Sequence, residues 1–168
     1  MRIKITAPKV TFYHQIKRAK LEATLNTVAI QTANLYQQCV ATWTHRPRIT
    51  IEGPRRVGDN YEVTVGPDPA DPFTNIFNLV EAGAPPHLIA PRFRGVLRFQ
   101  TGYKPKTEAR RIGSTRGGKF GPYRFAKLVR HPGFVGREFT TTIRRVMEPQ
   151  FRDALLRFSE AYNENLRG

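Results

Sequence analysis

The run GSTRGGK, Gly113 to Lys119, has the G-x-x-x-x-G-K spacing with which backbone amides and a lysine cradle nucleotide phosphates. Phe120 stands where a magnesium-binding Ser or Thr belongs. The charged KTEARR precedes the run in place of a buried strand, and Gly121-Pro122 follows it in place of a helix. It therefore reads as a flexible basic loop. The four histidines, His14, His45, His87 and His131, show neither H-x-x-x-H nor H-E-x-x-H spacing, and acidic partners for a metal site are sparse. His87 follows Pro85 and Pro86 in GAPPHLIAP, and His131 precedes Pro132 and Gly133 in VRHPG. Both are read as turn residues with local hydrogen bonds that can still approach each other across a sheet. Cys39 is the sole cysteine, so no internal disulfide or cysteine-based zinc site can form, and its place on an apolar helical stripe predicts a buried thiol. There is no G-x-S-x-G, no cysteine with a histidine signal and no carboxylate pair in a recognisable context. The expectation is a protein without catalysis, cofactor or metal.

Charge is the stronger signal. Lys and Arg number 28 against 13 acidic residues, a net charge of +15 with a pI near 10.8, which points to anionic partners. Between Arg92 and Arg130 twelve basic residues, Lys104, Lys106, Arg110, Arg111, Arg116 and Lys119 among them, face the single acid Glu108. Most of the excess charge is therefore here. Arg98-Phe99, Tyr103-Lys104, Lys119-Phe120 and Tyr123-Arg124-Phe125 interleave cations with rings, as a surface that holds phosphates and stacks bases requires. Rings so close to strands are equally readable as core. Neutralising Arg110, Arg111, Arg116 and Lys119 is expected to leave folding intact, since charge changes away from packed sites cost little.

The elements that position these residues follow from periodicity. With 168 residues and 39% hydrophobic content, the chain suits one domain, 1–168. Leu21, Leu25, Val28, Leu35 and Cys39 mark a helix over about 15–43. Ile49 and Ile51, then Tyr61, Val63 and Val65, alternate with polar residues on either side of GPRRVGDN as an antiparallel hairpin. GPDPADP, Gly66 to Pro72, is a loop, and Thr74 to Val80 is read as a strand because EAGAPPH interrupts the chain soon after. Val96, Leu97 and Phe99 form a strand, and another begins near Tyr123. If the two pair, a basic loop over about 101–122 joins them. Phe125, Leu128 and Val129 lead to the structural turn His131-Pro132-Gly133, whose glycine accepts the positive φ of a type II turn. Phe139, Ile143, Val146 and Met147, then Phe151, Leu155, Phe158 and Tyr162, mark a terminal helix over about 137–166, kinked or restarted near Pro149. The predicted class is α+β: an antiparallel sheet of four to five strands over about 48–130, packed by long N- and C-terminal helices and carrying a long basic hairpin loop. Neither a signal peptide nor a run of eighteen apolar residues is found, so a soluble protein made in the cytoplasm, without membrane contact, is expected.

The order GAPPHLIAP, GVLRFQ, a glycine-rich basic excursion and VRHPGFVGREF ahead of a terminal helix resembles the small head-to-tail joining proteins of tailed bacteriophages, called neck, tail-completion or minor tail component proteins. The likeness spans about Ile76 to Val146. It implies a virion structural protein at the head–tail junction, with neck and tail-terminator roles both open. It implies a ring of six copies between connector or head-completion proteins and the tail tube or terminator, and no catalysis. The basic loop would then reach packaged DNA in the channel or an acidic neighbouring ring. The alternative from the residues alone is a basic nucleic-acid-binding module without catalysis.

Overall fold

The computed structural model describes residues 1–7, 15–58, 60–92 and 95–167, with side chains throughout these except at 15–17 and 161–167. His14, Arg94 and the side chain of Tyr162 lie outside the described residues. The fold is mixed α+β. Its order is β1 (Ile3–Ala7), α1 (Gln15–Val40), β2 (Ile49–Val57), β3 (Asn60–Pro67), α2 (Thr74–Ala82), β4 (Gly83–Ala84), β5 (His87–Ile89) and β6 (Leu97–Gln100). It continues with β7 (Tyr103–Lys104), β8 (Gly118–Lys119), β9 (Tyr123–Ala126), β10 (Val129–His131), β11 (Phe134–Val135) and α3 (Phe139–Arg167).

The core lies between α1, α3 and a three-stranded antiparallel sheet of order β1-β3-β2. Leu21, Leu25, Val28, Thr32, Tyr36 and Cys39 fall three or four residues apart and are all buried, so one face of α1 meets the sheet and α3. Leu21 and Leu25 are fully covered, and each such burial stabilises by about 2 kcal/mol. Strand β1, not anticipated from the sequence, alternates buried Ile3, Ile5 and Ala7 with exposed Lys4 and Thr6. Its register, Ile3↔Val65, Ile5↔Val63 and Ala7↔Tyr61, puts both apolar sets on one face. Cys39 is buried as expected, and burial pushes its thiol pKa up, so it stays protonated and inert.

Four expectations are corrected. Thr74–Ala82 is helical, because Thr74, Phe77 and Glu81 are buried at helical spacing and the Asp71 side chain and carbonyl accept the Phe73 and Thr74 amides at the entry. Strand β2 continues past a bulge between Glu52 and Arg55 to Val57, so the expected hairpin loop is mostly strand. Helix α3 runs through Pro149 as one long helix, one of the two forms expected, but Val146 leaves the predicted stripe: it is exposed while Phe139, Ile143 and Met147 are buried. Finally, the predicted sheet of four to five strands is divided: beyond β3, the strands pair only two by two, as β10–β5, β11–β4, β6–β9 and β7–β8. Prolines and glycines interrupt the chain every few residues there, and no strand exceeds four residues.

Candidate interaction surface

The two motifs that flank the basic loop are brought together, backbone on backbone. Strands β5 and β10 pair with His87 opposite His131, and the two rings stack at 4.9 Å with 26° between their planes. His87 Nδ1 lies 2.9 Å from the Pro85 carbonyl, which can only accept, so Nδ1 carries the proton. His131 Nδ1 instead accepts the Gly133 N–H at 3.0 Å. Both make the expected local bonds, but they stand at strand ends, paired across the ladder, and not in the turns themselves. Next along the chain, Phe134 pairs with Ala84 and Val135 with Gly83. A Cβ on Gly136 would lie 2.6 Å from the Glu81 carbonyl oxygen, so α2 and β11 can touch this closely only through glycine.

Glu81 closes the same junction from below. It is buried on α2, and its Oε2 and Oε1 accept the Phe139 and Thr140 amides at 2.6 and 2.9 Å, at the first turn of α3. A carboxylate there answers both the orphan amides and the positive end of the helix dipole. Arg137 N–H donates to the Val80 carbonyl at 3.0 Å, fixing how α3 leaves α2.

The basic loop is less free than its sequence suggests. Strands β6 and β9 pair as expected, Leu97↔Ala126 through Gln100↔Tyr123, and β7–β8 extend the hairpin. Its centre folds back on the body. Thr107 is buried, and Ile112 packs on the core. Lys106 Nζ donates to the Thr42 carbonyl at 2.9 Å and Ser114 Oγ to the Gln38 carbonyl at 3.2 Å, so the loop satisfies carbonyls left over at the end of α1. Arg110 donates its backbone amide to the Arg137 carbonyl, and its guanidinium bonds Glu138 at 3.0 Å. That pairing lowers the Glu138 pKa and raises that of Arg110. Arg111 bonds Glu108. Of the six basic residues singled out from the sequence, Lys106 and Arg110 thus anchor the loop, while Lys104, Arg116 and Lys119 stand exposed on its outer part. The phosphate-loop reading has no geometric support: Gly118 and Lys119 are a strand, and the next element is β9, not a helix.

The rings of this hairpin are not core. Tyr103, Phe120, Tyr123 and Phe125 are each more than half exposed. Register puts Arg98, Gln100, Tyr123 and Phe125 on one face of the β6–β9 ribbon, with the Arg98 guanidinium 4.2 Å from the Tyr123 ring centroid. Between α2, the ribbon and the His131-Pro132-Gly133 turn lies a groove of about 820 Å³, reached also by Trp43 and His45 from beyond the end of α1. Sequence reasoning singled out the turn but missed Trp43 and Arg137, which no local pattern marks as neighbours.

No three His, Cys, Asp or Glu side chains among the described residues come close enough to hold a metal ion. No helix among the described residues is long and apolar enough to cross a membrane. No protein-family model, curated protein or solved structure matches the chain.

Proposed function

We propose that this chain is a ring-forming structural protein of the head-to-tail junction of a tailed bacteriophage, a neck or tail-completion component that works by packing against its own copies and its neighbours. One observation supports this reading most. Among the described residues between Ala82 and Glu138, only Thr107 is buried. The apolar side chains of Leu88, Phe125, Leu128 and Val135 are all more than half exposed. Two-stranded ribbons are marginal on their own, and exposed apolar patches mark contact surfaces, so this half of the chain is built to be covered in an assembly. The motif order that resembles the joining proteins falls on this same half. A ring of six in the virion, between connector and tail tube, is the form the resemblance implies. Particles made without the protein should contain filled heads and tails that fail to join or finish; normal infectious virions would refute the assignment.

The exposed ring-and-cation face of β6–β9 favours one second reading, a nucleic-acid-binding module. Replacing Lys104, Arg116, Lys119 and Arg124 with glutamine should leave the circular dichroism and the melting temperature nearly unchanged, because all four are exposed. If the second reading holds, the wild-type protein binds single-stranded DNA with a steep salt dependence and the variant does not. Negligible binding by the wild type at low salt removes this reading and leaves the first untouched. A large drop in melting temperature would show that the outer loop is itself structural.

A further inference from the structure

We propose that the groove between α2 and the basic hairpin is a docking site for an acidic, apolar segment of a partner protein, held by Arg137 and Lys119. This inference is independent of the phage reading. Three observations carry it. First, the walls are apolar and uncovered: Ile76 and Leu79 present an exposed stripe of α2 to the groove, facing Trp43, Pro132 and Phe134. A concavity of about 820 Å³ is large enough to take several side chains of a peptide. Second, the charged residues that line it are Lys106, Lys119 and Arg137, with no aspartate or glutamate among the lining residues. Lys106 is engaged by the Thr42 carbonyl, which leaves Lys119 and Arg137 to meet an anion. Third, Arg137 Nε is buried and has no hydrogen-bond partner among the described residues. A buried donor without an acceptor is costly, and because Nε is closed off from the groove, a carboxylate bound there satisfies it by drawing the Arg137 side chain outward.

These features choose among occupants. A nucleic acid needs rows of cations along a backbone, whereas this groove offers two beside hydrocarbon walls. A second copy brings the same net charge of +15 to a cationic rim. A segment that alternates glutamate or aspartate with leucine or phenylalanine matches both the walls and the rim.

Trp43 is the only tryptophan of the chain and lines the groove, so its fluorescence reports occupancy directly. The probe is a short blocked peptide alternating Glu with Leu and Phe, titrated into the full-length protein beside a counterpart with Gln for Glu. A saturable change in Trp43 emission is expected with the acidic peptide, and affinity about tenfold weaker for the Gln counterpart, as the loss of a charge-assisted bond implies. Arg137→Gln and Lys119→Gln should each weaken the acidic peptide by a similar factor while leaving the Gln peptide unchanged. Leu79→Asp, at an exposed position, should abolish binding without altering the circular dichroism. Lys119 is exposed too, so its variant keeps the test decisive should Arg137→Gln fold poorly. The proposal is overturned by unchanged emission at millimolar peptide, by equal affinity for both peptides, or by wild-type affinity in the Lys119 variant. Competition by an oligonucleotide, or self-association that blocks the peptide, would equally overturn it in favour of those occupants.

Discussion

Glu81→Ala should destabilise the protein by about 3 kcal/mol, a large share of the stability of a domain this size. Glu81 belongs to α2, yet its carboxylate bonds the first amides of α3, 58 and 59 residues further along the chain. Removing an ordinary exposed cap costs about 1 kcal/mol, because water replaces it. Here Phe139 is fully buried and Thr140 nearly so, and water cannot reach their amides. Two donors then stay unpaired in the interior, at about 1–3 kcal/mol each, and partial relaxation sets the sum near 3. Glu81→Gln should recover part of the loss, since its carbonyl oxygen keeps one bond while its amide turns a donor toward the second. Urea denaturation measures both variants. In thermal melts the alanine variant should fall by about 6–12 °C. A loss below about 1 kcal/mol would mean that the bonds to Glu81 do not hold the start of α3.

That cap also shows where sequence reasoning reaches its limit. Periodicity reports which face of an element is covered, so the α1 stripe, the β2–β3 pairing and the buried Cys39 were legible from residue spacing alone. Strand β1 was legible in principle, since Ile3, Ile5 and Ala7 alternate with polar neighbours. The proximity of His87 and His131 could be anticipated because each stands beside proline at a chain reversal, and the structure stacks their rings. Helix α2 was misread because the break at EAGAPPH leaves too short a run to establish a period, although Ile76, Phe77, Leu79 and Val80 do fall on one side of a helix. Its buried positions are Thr74, Phe77 and Glu81, two of them polar and covered only through tertiary contacts. The Glu81 cap has no local signature, for its partners belong to another helix. Nor could the exposure of Tyr123 and Phe125 be read from composition, since an aromatic in a strand looks the same whether or not a second layer covers it. The groove, built from five separated segments, was invisible for the same reason: Trp43 and Arg137 are 94 positions apart in the sequence.

Gly133→Val should separate the two halves of the molecule. Gly133 has φ 78°, where a β-branched residue is strongly disfavoured, and a Cβ there would lie 2.7 Å from the Pro85 carbonyl carbon and 2.8 Å from Pro86 N. Both are backbone atoms, so no side chain can rotate away. Either the turn loses its positive φ, and with it the Gly133 N–H bond to His131, or the Pro85-Pro86 segment moves and β5 leaves β10. Positive φ alone costs about 1–2 kcal/mol, and displacing paired backbone raises the total to at least about 3. The damage should be local. Val63 and Val65 are fully buried in the β1-β3-β2 sheet, whereas the β5–β10 and β4–β11 ladders flank this turn directly. Native-state hydrogen exchange should therefore show β3 amides still protected while those of β5 and β10 exchange freely. Pro132→Ala, at an exposed position, should leave both sets protected. If Gly133→Val retains protection in β5 and β10, the two motifs are held by something other than this contact. If β3 loses protection as well, the halves fold as one cooperative unit, and the hairpin's exposed surface belongs to the stability of the body rather than to an arm awaiting a partner.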